Sequence, residues 1–478
     1  MSVRSGISHE EVPVRRAAGQ AEALDHILAT VGRPLTVEDG LSIPGDGPIL
    51  PTNFLSEVAG TAAVAACGLA VADLWHLRTG RRQHVTVSRK HGAIAVSAFD
   101  FLRIEGKEPP TMWDPISGLW QGRDGRWIQF HCNFPHHRDG VLAVLGCGAD
   151  RDAVARAVAR WDMPELEEAL IDKRMCIAFV RRSDEWRQHP HCAAIASLPL
   201  MEIERIGDSP PEPLPPAGRP LSNIRVLDLT RHLAGPICGR TLAEHGADVM
   251  RIGAAHLPFI PTLVMDSGHG KVNAYADLRQ REGRERLLSL VRTGDVFSQA
   301  YRPGSLDALG FGPEALAAVR PGIVHVSISA FGHVGPWQGR RGFDSIIQSS
   351  SGIAFENGDE RRPRHLPGNP LDYVAGYLGA FGAMVALARR AVEGGSYRVR
   401  VSLAQTGRWV ESLGRVQGED ARMRSPLSHD DLGPLWQQRD TAFGRLGYVG
   451  PVVGLSETPP CWDRPASPLG THPPAWPV

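Results

Sequence analysis

The amino-acid sequence predicts an α/β fold, with a large domain built on a parallel sheet and a smaller α+β domain. Three observations carry this. From residue 224 onward, strand-like and helix-like segments alternate, the pattern of a parallel sheet covered by helices. Residues 209–220, SPPEPLPPAGRP, hold six prolines and read as a semi-rigid linker between two units. A long helix that runs through a glycine stop into a strand occurs twice, at 54–88 and at 370–402.

The elements follow in order. Residues 1–50 carry no firm assignment. A helix over 56–78 ends at Thr79-Gly80, a good C-terminal stop. A strand at 83–88 and a helix at 90–104 come next. Arg123-Asp124-Gly125-Arg126 is a tight-turn signal, and Trp127-Ile128-Gln129-Phe130-His131-Cys132 after it reads as a strand. Two or three amphipathic helices cover 149–188, with Asp152 or Asp162 as caps. Beyond the linker come strand 224–229, helix 235–245, strand 247–252, helix 281–292, strand 295–299, helix 312–319 and strand 322–329. The last 60 residues are proline-rich and are expected to wrap the surface irregularly.

Composition narrows the function classes. A chain of 478 residues holds two or three domains. Its 52 basic and 52 acidic residues cancel, which argues against a broad nucleic-acid or membrane surface. Seven scattered cysteines without a CxxC spacing read as reduced thiols in a cytoplasmic protein. The start, MSVRSGISHEEVPVRR, has no apolar core of a secretory signal. The most apolar stretch, Val58–Leu74, is broken by a cysteine and reads as a buried helix.

The internal repeat singles out one residue. Leu371-Asp372-Tyr373-Val374-Ala375-Gly376 aligns with Leu55-Ser56-Glu57-Val58-Ala59-Gly60, and Val399–Ser402 with Val85–Ser88. Aspartate and serine are both good N-cap residues, worth ~1 kcal/mol there, so capping alone accounts for Asp372 and Ser56. Only Asp372 can act as a carboxylate. Neither His131-Cys132-Asn133-Phe134-Pro135-His136-His137 nor His189-Pro190-His191-Cys192 has a zinc spacing, so these histidines read as incidental and no metal is expected. Trp113, Trp120 and Trp127 read as core. No P-loop or GxGxxG is present.

Four stretches, in order and spacing, resemble the class III coenzyme A-transferases, the CaiB–BaiF family. They are Arg225–Thr230 with Ala234-Gly235-Pro236; Gly246-Ala247-Asp248-Val249; Tyr301–Leu306; and Ser327–Gly332 with Gly335-Pro336. Gly342-Phe343-Asp344 and the Asp372 helix follow. The resemblance covers roughly 221–405, and residues 51–205 resemble the remainder of a family member. It implies a Rossmann-like large domain, a smaller α+β domain and an interlocked architecture. The chain then divides into an N-terminal segment (1–50), a truncated first unit (51–205), the linker (206–220), a second unit (221–415) and a C-terminal segment (416–478). Pairing of the units inside one chain, as a pseudo-dimer, is expected, with a homodimer also open.

The same resemblance implies a chemistry. A carboxylate attacks an acyl-CoA thioester to give a mixed anhydride and free thiolate, and a coenzyme A thioester of that carboxylate intervenes. Asp372 matches the nucleophile, ionised by the free N–H groups and dipole of its helix start. Ala375, Gly376 and Gly379 are expected to let a thioester approach the backbone. Lys271 matches a basic residue near the coenzyme phosphates, and Arg302, Ala234 and Gly235 match the coenzyme channel. The substrates are coenzyme A thioesters and small carboxylic acids, with no permanently bound cofactor. Where the family often places an acidic residue and an arginine, the chain has Gly253-Ala254-Ala255, which leaves a degenerate, non-catalytic coenzyme A-binding or scaffold protein as the alternative. The histidine of a racemase branch would fall at Phe343, which cannot transfer a proton.

Overall fold

In the computed structural model, residues 19–359, 361–417 and 421–477 are described; the expectation about the first residues falls outside them. A seven-stranded sheet organises the fold, in the order Lys271–Tyr275, Asp248–Gly253, Arg225–Leu229, Val296–Gln299, Val324–Ser329, Ser396–Ser402, Met201–Gly207. The first six strands run parallel. Most of their residues are buried, which suits a sheet covered on both faces. Met201–Gly207 pairs antiparallel at the edge, with Val399 opposite Ile203. Strand order reverses between Arg225–Leu229 and Val296–Gln299.

Two 24-residue helices, Ser56–Thr79 and Pro370–Glu393, pack together and fill the main core. Both are long and apolar enough to cross a membrane, yet each is 89% buried inside the protein over its most apolar window. Small residues make this packing close. Cys67 Sγ donates to the Tyr377 carbonyl at 3.2 Å. Against the next helix, Arg89–Ala95, a Cβ on Gly60 would meet the Gly92 carbonyl at 2.7 Å. The smaller domain has its own core around Trp120, Phe130, Val154 and Leu170. Its sheet runs Gly118–Gln121, Trp127–Phe130, Ile177–Phe179.

Several elements depart from expectation. The helix expected over 90–104 is Arg89–Ala95, followed by a 3-10 turn at Ala98–Phe101. Strand 83–88 is only Val85–Thr86, held between Leu41–Ser42 and Gly454–Leu455. Within 149–188 the cap is Asp150, whose carboxylate accepts from the Ala153 amide at 2.8 Å. Asp162 occupies a cap position, but its carboxylate pairs with Arg123 at 2.5 Å instead. The C-terminal segment is not wholly irregular, because Trp436–Thr441 and Gly444–Val449 form a hairpin. The proline-rich linker is pinned. Arg78 donates to the Pro215 and Pro220 carbonyls at 2.6 Å, and Glu212 pairs with Arg320 at 2.6 Å.

Candidate active site

A cavity of about 500 Å³ opens where the sheet order reverses, the place where a doubly wound sheet leaves a crevice at its carboxyl ends. Leu229, Arg231 and His232 line it from one strand end, and Tyr301 and Arg302 from the next. Phe134, His136 and His137 reach it from the start of helix Pro135–Leu145 in the smaller domain. Arg341, Phe343 and Asp372 complete the wall. All of these residues belong to one chain.

Asp372 is the third residue of helix Pro370–Glu393 and does not cap it. The cap is Asp344. Its Oδ2 accepts from the Leu371 amide at 2.8 Å and the Asp372 amide at 3.1 Å. The Gln348 side-chain amide donates to the other oxygen. The chain's first half braces the same helix start. The Asn369 amide donates to the Val96 carbonyl at 3.0 Å, and the Phe99 amide donates to the Tyr373 hydroxyl at 2.8 Å. The expectation of a cap-stabilised, ionised Asp372 is therefore corrected, because Asp344 already takes those N–H groups. Burial pushes the Asp372 carboxyl well above the usual carboxylate range, the Asp344 charge pushes it further, and the Ala234 backbone amide opposes both. Burial also raises Asp344, to about 6, against the amides of Asp372 and Leu371 and the Gln348 side chain. Two neighbouring carboxyls of this kind titrate as a pair.

The repeat shows nothing comparable. Ser56 does not cap its helix, and its Oγ is buried without a partner. Glu57 beside it is buried against Arg89 at 3.1 Å.

Of the other expected residues, Ala234, Gly235 and Arg302 line the cavity and Lys271 does not. Lys271 is enclosed, and its Nζ donates to Asp228 Oδ2 and the Pro236 carbonyl, both at 2.7 Å. A buried ammonium needs such a partner, so its role as a phosphate ligand is corrected to a brace beneath helix Ala234–Glu244. Gly376 and Gly379 serve packing rather than ligand approach. A Cβ on Gly376 would meet the Ala234 carbonyl at 2.6 Å, and one on Gly379 would meet Ile328 at 3.0 Å.

Charge in the cavity is one-sided. Asp372 is the one acidic side chain lining it among the described residues, against Arg231, Arg302, Arg340 and Arg341. Arg340 pairs with Glu167 at 3.3 Å. Arg231, Arg302 and Arg341 form no salt bridge with a carboxylate among the described residues. Burial disfavours the charged form of the histidines near the cavity. Burial lowers His137 to about 3, and its Nε2 accepts from Arg341 Nη1 at 2.7 Å. Burial takes His232 well below its usual value, between Phe134 and Phe343. His131 stacks on Phe343 with centroids 4.0 Å apart. His136 and His137 are thus part of the cavity rather than incidental. Trp113, expected in the core, is 41% exposed and lies edge-on to His131. Asp344 was legible as part of Gly342-Phe343-Asp344, but its capping role was not. Arg231 and Arg341 left no signal in one sequence, and His137 stood out only within a histidine cluster read as incidental.

Residues 221–425 match the family model for CoA-transferase family III. The acetyl-coenzyme A transferase nodX of Hypoxylon pulicicidum is 30% identical over 63% of this chain and 55% of its own length. The chain thus spans only about half of that relative. An acyl-CoA transferase of Gibberella moniliformis is 27% identical over 91% of this chain and 90% of its own, an alignment that takes in both halves. A solved CAIB/BAIF family protein from Brucella suis aligns over 48% of this chain and 65% of its own, with 27% identity and a TM-score of 0.38.

Proposed function

We propose that the chain, whose residues 221–425 match the model for CoA-transferase family III, moves coenzyme A from an acyl-CoA thioester to a carboxylic acid, with Asp372 as the nucleophile. The observation that carries this reading is a cavity lined by arginines in which Asp372 is the lone acidic side chain among the described residues. Asp372 attacks the thioester carbonyl, the C–S bond breaks, and an acyl-aspartyl anhydride and coenzyme A thiolate form. The thiolate attacks the aspartyl carbonyl, releasing the donor acid and leaving an aspartyl thioester. The acceptor carboxylate repeats the two exchanges in reverse and departs as its thioester. No proton is consumed. Asp372 attacks as the carboxylate, a form that burial and the Asp344 charge make scarcer but more basic, and the uncompensated arginines suit the anions that enter. The two halves act as a pseudo-dimer within one chain, since the cavity draws on Phe134–His137 and on residues after 221.

A second reading, a coenzyme A-binding protein without transfer, is favoured by the uncharged turn at Gly253-Ala254-Ala255. Hydroxylamine trapping separates the two. The full chain incubated with acyl-CoA should yield an enzyme-bound, hydroxylamine-sensitive thioester at Asp372, lost in Asp372→Asn together with transfer. Asparagine leaves the Asp344 cap in place, so the fold is expected to persist. Transfer that survives the substitution refutes the mechanism. Coenzyme A binding without transfer or adduct establishes the second reading.

A further inference from the structure

We infer that a second cavity, beside the turn that braces the Asp372 helix, binds a small organic cation with an apolar body and is coupled to that helix start. The cavity measures about 320 Å³, within the range of small-molecule pockets. It shares no residue with the one that Asp372 lines. Leu50, Pro51, Phe101, Pro426 and Leu427 give it a largely apolar wall. Three polar groups on that wall lack partners. Ser97 is 5% exposed, and its Oγ has no hydrogen-bond partner. His429 Nε2 is buried and likewise alone, its ring edge-on to Phe101 with centroids 5.6 Å apart. The Asp100 carboxylate accepts no hydrogen bond and joins no ion pair among the described residues. Such groups are costly to leave unpaired. Ser97 and Asp100 stand three residues apart, closed by a 3.0 Å bond from the Asp100 amide to the Ser97 carbonyl, a spacing that sets two side chains on one side of a 3-10 turn.

Charge selects a cation. Arg103 is the one cationic side chain on the wall among the described residues, and it is already committed. It donates to the Asp100 and Leu102 carbonyls at 3.2 and 2.8 Å and pairs with Glu108 at 3.4 Å. Burial, then Arg103, lowers His429, so its ring favours the neutral form. Burial, then the Asp266 charge, pushes the Asp100 carboxyl up, to about 6, and an arriving cation opposes both. The three free groups can all accept, which suits an ammonium with its three donors. The same wall belongs to the brace. Ser97 lies between Val96 and Phe99, which bond Asn369 and Tyr373. Pro367, two residues before Asn369, also lines the cavity. A Cβ on Gly368 would stand 2.8 Å from Ser97 Oγ, so the serine touches the loop that leads to Asp372. An occupant bonded to Ser97 and packed on Pro367 holds turn and loop together.

The test uses the full chain with 2-phenylethylamine, set against the neutral 2-phenylethanol and the anionic 3-phenylpropanoate, each followed calorimetrically. The amine should bind about tenfold tighter than the alcohol. Asp100→Asn should erase that preference. Ser97→Ala should weaken the amine about threefold with the melting temperature unchanged, because the hydroxyl it removes has no partner. Saturating amine should slow hydrogen exchange of the Asn369 amide about threefold, an effect absent in Asp100→Asn. Absence of amine binding, or equal binding of amine and alcohol, overturns the proposal. So does a preference for 3-phenylpropanoate that is lost in Arg103→Gln, which would assign the cavity to anions. Amine binding that leaves Asn369 exchange unmoved also overturns it, since the site would then be uncoupled from the helix. Asp372→Asn should bind the amine as the wild type does. None of these measurements involves acyl transfer, so failure of the transfer reading leaves them standing.

Discussion

Asp344→Asn should make Asp372 easier to ionise. Asp344 Oδ2 stands 3.1 Å from the Asp372 amide nitrogen, which places the two carboxylates on the order of 6 Å apart. At an effective dielectric of about 20, unit charges at that distance repel by about 3 kcal/mol. That corresponds to roughly a hundredfold in the ratio of ionised to protonated Asp372. The asparagine carbonyl can still accept from the Leu371 and Asp372 amides, so the helix start stays capped. The sign follows directly. A nucleophile held above the usual carboxylate range gains its reactive form as pH rises, so wild-type kcat/KM should climb with pH along an acid limb. Removing the neighbouring charge should move that limb to lower pH. The relief exists only where Asp344 is charged in the wild type, above about pH 6. Below that, the two enzymes should converge towards the contribution of burial alone. The assay is kcat/KM for acyl-CoA from pH 4.5 to 9, each enzyme normalised to its own plateau. An unmoved limb, or one shifted to higher pH, would refute the argument that Asp344 acts on Asp372 through charge.

Other substitutions probe how the site is held. Lys271→Met strands the enclosed Asp228 carboxylate and should destabilise by about 3–5 kcal/mol, read as a lower melting temperature, with KM for acyl-CoA little changed in the folded enzyme. Gly376→Ala places a methyl 2.6 Å from the Ala234 carbonyl. The clash, about 1–3 kcal/mol, should outweigh the roughly 1 kcal/mol gained in helix propensity, lowering the melting temperature and also the transfer rate, because helix Ala234–Glu244 must shift. Ser56→Ala removes a buried hydroxyl that has no partner, and should leave urea stability unchanged within about 1 kcal/mol or raise it; a large loss would restore the capping role.

The parallel sheet and the two long helices could be read from the sequence because buried strands and small-residue helices write their burial into local composition. Arg225–Leu229 and Val324–Ser329 emerged close to their observed limits for that reason. Lys271–Tyr275 was missed because it carries lysine, asparagine and tyrosine. Its lysine is tolerated only because Asp228, 43 positions earlier, neutralises it. The same distance problem hid the site's polarity. Asp372 could be picked out as a carboxylate at a helix start, yet its protonation depends on Asp344, which reaches the same amides from 28 positions earlier. Arg341 and His137 lie 204 positions apart. No local pattern records such a pair, whereas Ala234, Gly235 and Arg302 sit in the short motifs that carry the family resemblance and do line the cavity.

The first unit's contribution, under the fused reading proposed above, is mechanical and steric rather than chemical. Its helix start holds Ser56 and Glu57, both fully buried, so no ligand can approach there. Val96 and Phe99 nevertheless bond the backbone and side chain on either side of Asp372, at Asn369 and Tyr373. His137 orients Arg341 from the smaller domain. In a symmetric pair each half would have to brace the other's carboxylate while carrying its own. Fusing the halves removes that requirement: one half keeps the carboxyl and the other keeps only what positions it. Serine at the Asp372-equivalent position then costs no activity, because the residues that matter in that half are the ones that touch Asn369, Tyr373 and Arg341. The short spacing between Val96 and Phe99 ties both braces to a single turn, so any displacement of that turn is transmitted to the start of the helix bearing Asp372.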